Sequence, residues 1–180
     1  MYKHCATEES ARRQRQLEQS LLELMLSVGY GPITIADICD RVGITRKSFY
    51  RYFSSKEGCL HALLDHAVID GASFYLPGAD EDRSPSLIYR RFFQYWKERH
   101  DLTEALLRNG LTTLLVEQML AYSIQEEREF RFFLHGNAND THERTVFYLG
   151  GSMALVLDWH RSGYQRSVLE MAEILARMVR

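Results

Sequence analysis

The sequence is poor in residues that interrupt helices. Only three of its 180 residues are proline, and no stretch alternates Val or Thr with polar residues as a half-buried strand does. Leu, Arg, Glu and Met, which favour helix, are frequent. A chain of this length with 46% hydrophobic residues can bury a sizeable core. We therefore expect an all-α protein with about nine helices.

Cysteines and long hydrophobic runs are also scarce. The three cysteines are odd in number and form no Cys-x-x-Cys pair, which fits free thiols in a reducing cytosol better than disulfides or a zinc site. The most apolar stretch, residues 146–157, is too short to span a bilayer, and no apolar segment follows the N-terminal positive charges. We expect a cytoplasmic protein without a membrane partner, metal or cofactor.

Sequence motifs of enzymes are missing as well. The chain has seven histidines but no His-Glu-x-x-His, no Gly-x-Ser-x-Gly and no glycine-rich phosphate loop. Asp158 and His160 are two positions apart, so on a helix they point in different directions. We predict no catalytic residues and no enzymatic activity.

Net charge is small, but basic residues are concentrated in one segment. The formal charge is -2, whereas residues 41–56 contain five Lys or Arg and no Asp or Glu. A slightly acidic chain does not coat nucleic acid by bulk attraction. Any contact with DNA must therefore come from this local patch.

Capping patterns divide the first third of the chain into short helices. A leucine stripe that includes Leu17 recurs at helical spacing and stops at Gly29, which predicts a first helix from about residue 8. Thr34 and Asp37 form a capping signal for a second helix, and Gly43 ends it. Gly43 can adopt the positive φ that a tight turn needs.

A third helix is predicted from Thr45, which can serve as its N-cap, and Phe49 and Phe53 share one of its faces. Ser54 and Glu57 form a Ser-x-x-Glu box that predicts the start of a fourth helix. Two short helices joined by a glycine-containing turn, the second of them rich in basic and hydroxyl residues, are typical of a helix-turn-helix.

This region resembles the N-terminal signature of the TetR family. The matching segments are TIADIC at 34–39, VGITRKSFYRYF at 42–53 and SKE at 55–57, within a resemblance that covers about residues 10–65. A generic helix-turn-helix would not imply the Tyr-x-x-Phe ending or the Lys-Glu that follows. The resemblance implies a dimeric transcriptional regulator whose DNA-binding residues are Thr34, Thr45, Arg46, Lys47, Ser48, Tyr50, Tyr52 and Lys56.

The resemblance also implies a division of labour among these residues. Tyr50 and Lys56 are expected to contact phosphates, and Thr45, Arg46 and Lys47 to face the bases. Ser48 and Tyr52 are further phosphate candidates, and Thr34 supplies a hydroxyl at a helix start. The chemistry agrees, because Arg can pair with guanine through two hydrogen bonds, whereas phosphate contacts position a protein without specifying sequence. Ordinary surface charges and partly buried tyrosines are the alternative.

Aromatic residues are dense in the second half of the chain. Most of them must belong to the core, because stripes at helical spacing usually pack. In the TetR family this region binds an inducer, and the resemblance alone carries that role over. The residues that we assign to such a site are Phe92, Trp96, Phe133 and Phe147.

Residues 146–157 are apolar on nearly every face, which is unusual for a helix with one buried side. Burial against both its own domain and a second subunit would explain this, in a four-helix dimer contact. The interface residues predicted on this basis are Gly150, Met153, Ala154, Leu157, Met171 and Leu175. A buried central helix in a monomer is the alternative.

Together these observations predict a helix-turn-helix domain at residues 1–55 and a helical ligand-binding and dimerisation domain at residues 56–180. The predicted function is that of a ligand-responsive repressor, which binds palindromic operator double-stranded DNA as a homodimer and is released by a small-molecule effector. Two alternatives stay open: an activator, or a binding or adaptor module of the same fold that no longer reads DNA specifically.

Overall fold

The described part of the protein is built of α-helices. A computed structural model of the chain describes residues 2, 7–75, 84–125 and 141–178. Within these ranges the chain forms nine α-helices and no β-strand, as the all-α prediction expects. They are α1 (Glu8–Ser27), α2 (Ile35–Val42), α3 (Arg46–Phe49), α4 (Lys56–Tyr75), α5 (Pro85–Glu98), α6 (His100–Arg108), α7 (Thr112–Gln125), α8 (Thr141–Arg161) and α9 (Val168–Met178).

The second helix and the turn after it follow the predicted capping chemistry. The Asp37 backbone N–H donates to Thr34 Oγ1 at 3.3 Å, and the Thr34 backbone N–H donates to Asp37 Oδ2 at 2.7 Å. Gly43 ends α2 with φ 70°, a left-handed conformation that side chains with a Cβ disfavour. These two devices bound α2 and direct the chain into α3.

The start of α4 differs from the prediction. Helix α4 begins at Lys56, and the Gly58 backbone N–H donates to Ser55 Oγ at 3.2 Å. The predicted box of Ser54 with Glu57 is therefore wrong by one residue. The pKa of Glu57 is held below its ordinary value by its own backbone N–H and by the Ser55 hydroxyl, so the carboxylate still supports the first turn.

The described residues divide into two compact units. The first unit comprises Met1–Ala67 and Glu104–Leu111. Its core consists of side chains with at most 1% exposure: Leu17, Leu21, Met25, Ile38, Phe49, Phe53 and Leu64. Phe49 and Phe53 lie with ring centroids 5.2 Å apart, as their shared face predicts. This packing holds α2 and α3 on α1 and leaves the polar residues of α3 outside.

The second unit comprises Val68–Thr103 and Thr112–Arg180, and aromatic residues dominate its core. Helix α5 packs against α8 and α9 and buries five aromatic side chains: Tyr89, Phe92, Phe93, Tyr95 and Trp96. Phe93 meets Trp159 of α8 edge to face at 5.7 Å, and the Trp159 indole N–H donates to the Arg166 carbonyl at 3.0 Å. Most of the predicted aromatic density is therefore packing.

Close approach of α4 to α5 explains a glycine within α4. A Cβ on Gly71 would lie 2.9 Å from Tyr95 Cε1 and 3.1 Å from Tyr75 Cε1. Such distances are too short for any side chain without a shift of the rings. Gly71 thus allows two tyrosine rings to pack on the helix backbone.

Two further predictions concern thiols and membranes. Cys39 and Cys59 are free and buried, and burial raises the pKa of the Cys59 thiol well above its ordinary value, whereas Cys5 lies outside the described residues. In the described part of the chain, no helix combines the length and apolar character that crossing a bilayer requires.

Candidate nucleic-acid interface

Three predicted DNA-binding residues form an exposed tip at the second helix of the helix-turn-helix. Arg46, Lys47 and Tyr50 are all exposed, and none of their side chains makes a hydrogen bond or ion pair within the described residues. Tyr50 is 52% exposed and rests edge-on against Phe49, with ring centroids 5.8 Å apart. Two cations and a phenol hydroxyl are therefore available to a partner.

The threonine hydroxyls of the site have structural partners. Thr34 Oγ1 donates to Asp37 Oδ2 at 2.7 Å, and Thr45 Oγ1 accepts from the Ser48 backbone N–H at 3.2 Å. The Thr34 hydroxyl hydrogen is thus used in the cap of α2. Thr45 caps α3, its hydroxyl also pairs with the Ser48 hydroxyl at 3.1 Å, and the residue is exposed.

Lys56 has a different environment from the one expected of a phosphate contact. Its Nζ donates to three backbone carbonyl oxygens: Tyr30 at 2.9 Å, Gly31 at 3.2 Å and Ile33 at 2.8 Å. It also lies 4.3 Å from the centroid of the Tyr30 ring. A lysine ammonium has three N–H groups, and all three are used here. Lys56 therefore ties the α1–α2 loop to the start of α4, and a phosphate contact would require it to release a carbonyl.

The remaining two candidates, Ser48 and Tyr52, line a cleft in the first unit. This cleft has a volume of about 350 Å³ and lies between the first turns of α1 and the α3 segment. Arg13 and Arg51 line it as well. From the sequence, Arg13 could reach DNA from the start of the first helix, but a charged residue there is more often on a solvated helix face. No local pattern indicates that positions 13 and 51 lie together.

The predicted effector residues have unlike environments. Phe92 and Trp96 are buried in the second unit with 2% and 0% exposure, whereas Phe147 is 73% exposed and Phe133 lies outside the described residues. The Trp96 indole Nε1 is buried and has no hydrogen-bond acceptor within the described ranges. Of the three residues that the structure describes, only Phe92 and Trp96 are therefore buried together in the core.

The predicted dimer residues fall into two groups. Met153, Met171 and Leu175 are at most 4% exposed within the single chain and pack in its own core. Gly150, Ala154 and Leu157 keep exposed or half-buried positions on α8. Residues on the side of α8 opposite to Met153 remain outside the core: Phe147, Gly151, Ala154 and Asp158.

Comparisons with known proteins agree with this arrangement. Residues 20–63 match the family model described as bacterial regulatory proteins, tetR family. A solved TetR-family transcriptional regulator from Syntrophomonas wolfei is 19% identical, with a TM-score of 0.69 and coverage of 94% of this chain and 93% of that one. The fatty acid degradation regulator FadR from Bacillus halodurans is 13% identical, with a TM-score of 0.67 and coverage of 92% and 96%.

A third solved structure, the dihydroxyacetone kinase operon activator DhaS, is 17% identical, with a TM-score of 0.57 and coverage of 92% and 93%. No curated protein matches the sequence. The matched N-terminal segment contains the helix-turn-helix with its exposed tip, and the solved relatives share the fold along most of the chain. Residues 20–63 thus carry the N-terminal helix-turn-helix of the TetR family of bacterial regulatory proteins, and the chain shares the fold of the solved TetR-family regulators.

Proposed function

We propose that the chain is a ligand-responsive transcriptional repressor that binds palindromic operator DNA as a homodimer. One observation supports this most strongly: Arg46, Lys47 and Tyr50 extend from α3 without partners in the described part of the chain. Two unpaired cations and a half-exposed tyrosine on the outer side of a helix-turn-helix do not stabilise the fold, whereas contact with DNA accounts for them. An adaptor that has lost DNA reading would not need them.

The exposed side of α8 supports the homodimer. Phe147 is the most exposed of the large apolar residues described, and a Cβ on Gly150 or Gly151 would meet no atom within 4 Å. With Ala154 these residues form a shallow, apolar strip onto which another helix can pack closely. On α9, Leu169 and Met178 are also exposed, at 56% and 64%. Two helices from each subunit would then form the four-helix contact.

The dimer is tested by Ala154→Arg, with Gln125→Arg as a control that adds the same charge at an exposed position of α7. Light scattering at micromolar concentration should give a dimer mass for the wild type and the control. Ala154→Arg should give a monomer that binds DNA weakly. A wild-type mass equal to one chain would contradict the homodimer.

The core of the second unit supports a small-molecule effector. An indole N–H that is buried without an acceptor costs about 1–3 kcal/mol, and a ligand acceptor at Trp96 would remove that cost. We propose an apolar or aromatic molecule with one hydrogen-bond acceptor, and the relative from Bacillus halodurans is described as a fatty acid degradation regulator. Calorimetric titration of candidate ligands should detect binding to the wild type and weaker binding to Trp96→Phe. Equal binding to both would place the effector away from Trp96.

The test of DNA binding itself is a mobility shift of the full chain on DNA from beside its own gene. The proposal predicts a complex that survives an excess of unrelated DNA. Loss of the complex to that competitor would favour the adaptor.

Activation is a second candidate, because the relative DhaS is described as an operon activator. Transcription of a reporter behind the bound DNA should fall when the chain is present if it represses, and rise if it activates.

A further inference from the structure

The cleft beside α3 brings together two arginines that have no other role in the described structure. Arg13 is on α1 and Arg51 follows α3, and neither side chain makes an ion pair or a hydrogen bond within the described residues. Arg41 of the same unit, by contrast, is paired with Glu23 at 2.9 Å. Two unpaired guanidinium groups on one cleft repel each other unless an anion lies between them.

Hydroxyl groups complete the lining of the cleft. Ser48 and Tyr52 come from the α3 segment and Ser10 from the first turn of α1. The Tyr52 hydroxyl has no hydrogen-bond partner within the described residues. The Ser10 hydroxyl donates to the Thr7 carbonyl at 2.9 Å, and the Ser48 hydroxyl pairs with that of Thr45 at 3.1 Å. The donors that the described residues leave available in the cleft are therefore the two guanidinium groups and the Tyr52 hydroxyl, and both kinds of donor contact DNA phosphate oxygens. The cleft volume of about 350 Å³ far exceeds the roughly 10–15 Å³ that one water needs on the same measure, so a phosphate group fits with water around it.

We propose that this cleft holds one phosphate group of the DNA backbone, bound jointly by Arg13 and Arg51. The proposal rests on the proposed DNA-binding function and deepens it by adding α1 to the interface. The Lys56 ammonium is engaged by three backbone carbonyls and is not available to a phosphate. The cleft takes over the phosphate contact that was expected of Lys56, next to the exposed tip. Glu9 also lines the cleft, and its carboxylate opposes anion binding there.

Shared binding of one phosphate predicts a non-additive result. Loss of one phosphate contact lowers the magnitude of the slope of log affinity against log salt by about one. Arg13→Ala and Arg51→Ala should each weaken binding to operator and random DNA alike, by up to about tenfold at 0.1 M salt. The double variant should lower the slope by about one in total, because both guanidinium groups hold the same phosphate. Arg12→Ala, which changes an exposed arginine outside the cleft lining, should leave the slope nearly unchanged.

A second pair of variants should strengthen DNA binding instead of weakening it. Glu9→Gln removes a negative charge from the cleft and should strengthen DNA binding more than Glu8→Gln, which changes an exposed carboxylate outside the lining. Thermal melts of all variants provide the folding control, and the melting temperature should stay within a few degrees because these side chains have no internal partners.

The measurement is fluorescence anisotropy of the full chain on operator and random DNA at several salt concentrations. Equal slopes for Arg13→Ala and Arg12→Ala would overturn the cleft contact, and a double-variant decrease of about two would assign the arginines to separate phosphates and overturn shared binding. Stabilisation of the free protein by inorganic phosphate that depends on Arg13, with unchanged DNA slopes, would assign the cleft to a free anion instead. Absence of any wild-type DNA binding would overturn the proposed function, and this proposal with it.

Discussion

Replacement of Lys56 by methionine tests whether this lysine stabilises the fold or contacts DNA. Lys56→Met keeps most of the aliphatic stem and removes the ammonium that donates to the Tyr30, Gly31 and Ile33 carbonyls. Hydrogen bonds from a charged donor contribute about 1.5–3 kcal/mol, and a cation–π contact at a partly exposed site adds about 0.5–1 kcal/mol. Two of the three hydrogen bonds are partly buried, so water can replace these only incompletely.

We therefore expect Lys56→Met to lower the free energy of unfolding by about 2–4 kcal/mol, and the melting temperature by about 5–15 °C. Lys47→Met is the matched control, because it removes the same charge from an exposed lysine of α3 that has no internal partner in the described structure. Urea titration should show a change of less than about 0.5 kcal/mol for Lys47→Met.

The DNA assay should give the opposite ranking. At a temperature where both variants are folded, Lys47→Met should lower the magnitude of the salt slope, whereas Lys56→Met should leave it at the wild-type value. A Lys56→Met variant of wild-type stability whose salt slope falls by about one would refute this reasoning and restore Lys56 as a phosphate contact.

Two further predictions concern the folding of each unit. Gly71→Ala places a methyl 2.9 Å from Tyr95 Cε1 and should cost about 1–3 kcal/mol in the free energy of unfolding, which urea titration can measure; a variant as stable as the wild type would show that the rings yield freely. The pKa of Asp37 is lowered from its ordinary 3.8 by hydrogen bonds from the Thr34 backbone N–H and hydroxyl, so its contribution to stability is present above about pH 4 and is lost as pH falls through the lowered value. The stability of Asp37→Asn should consequently fall less steeply as the pH is lowered below about 4, and identical acid titrations of variant and wild type would contradict this account of the cap.

Local chemistry in the sequence predicted the helix-turn-helix well. The cap of α2 by Thr34 and Asp37, the left-handed Gly43 and the cap of α3 by Thr45 all depend on residues within four positions of each other. The same holds for Ser167, which caps α9 together with Glu170. The prediction of the cap of α4 was wrong by one residue, because Ser54 and Ser55 are adjacent and either serine can cap a helix.

Contacts between distant residues could not be predicted in this way. The Lys56 ammonium reaches carbonyls 23 to 26 positions earlier in the chain, and no local pattern indicates such a contact. Likewise, apolar residues all round a helix do not reveal which side its own domain covers. The structure assigns Met153 to the covered side and leaves Gly151 and Ala154 on the other.

The central claim is that the exposed tip of α3 reads DNA sequence, and Arg46→Ala tests it most directly. A guanine contact through two hydrogen bonds is worth about 1–3 kcal/mol, which corresponds to about 5- to 150-fold in affinity. Affinities of wild type and Arg46→Ala for operator and random DNA, measured at matched salt, should show operator binding reduced by that factor beyond any loss on random DNA. Equal losses on both DNAs would make Arg46 a phosphate contact and would contradict base reading by this residue.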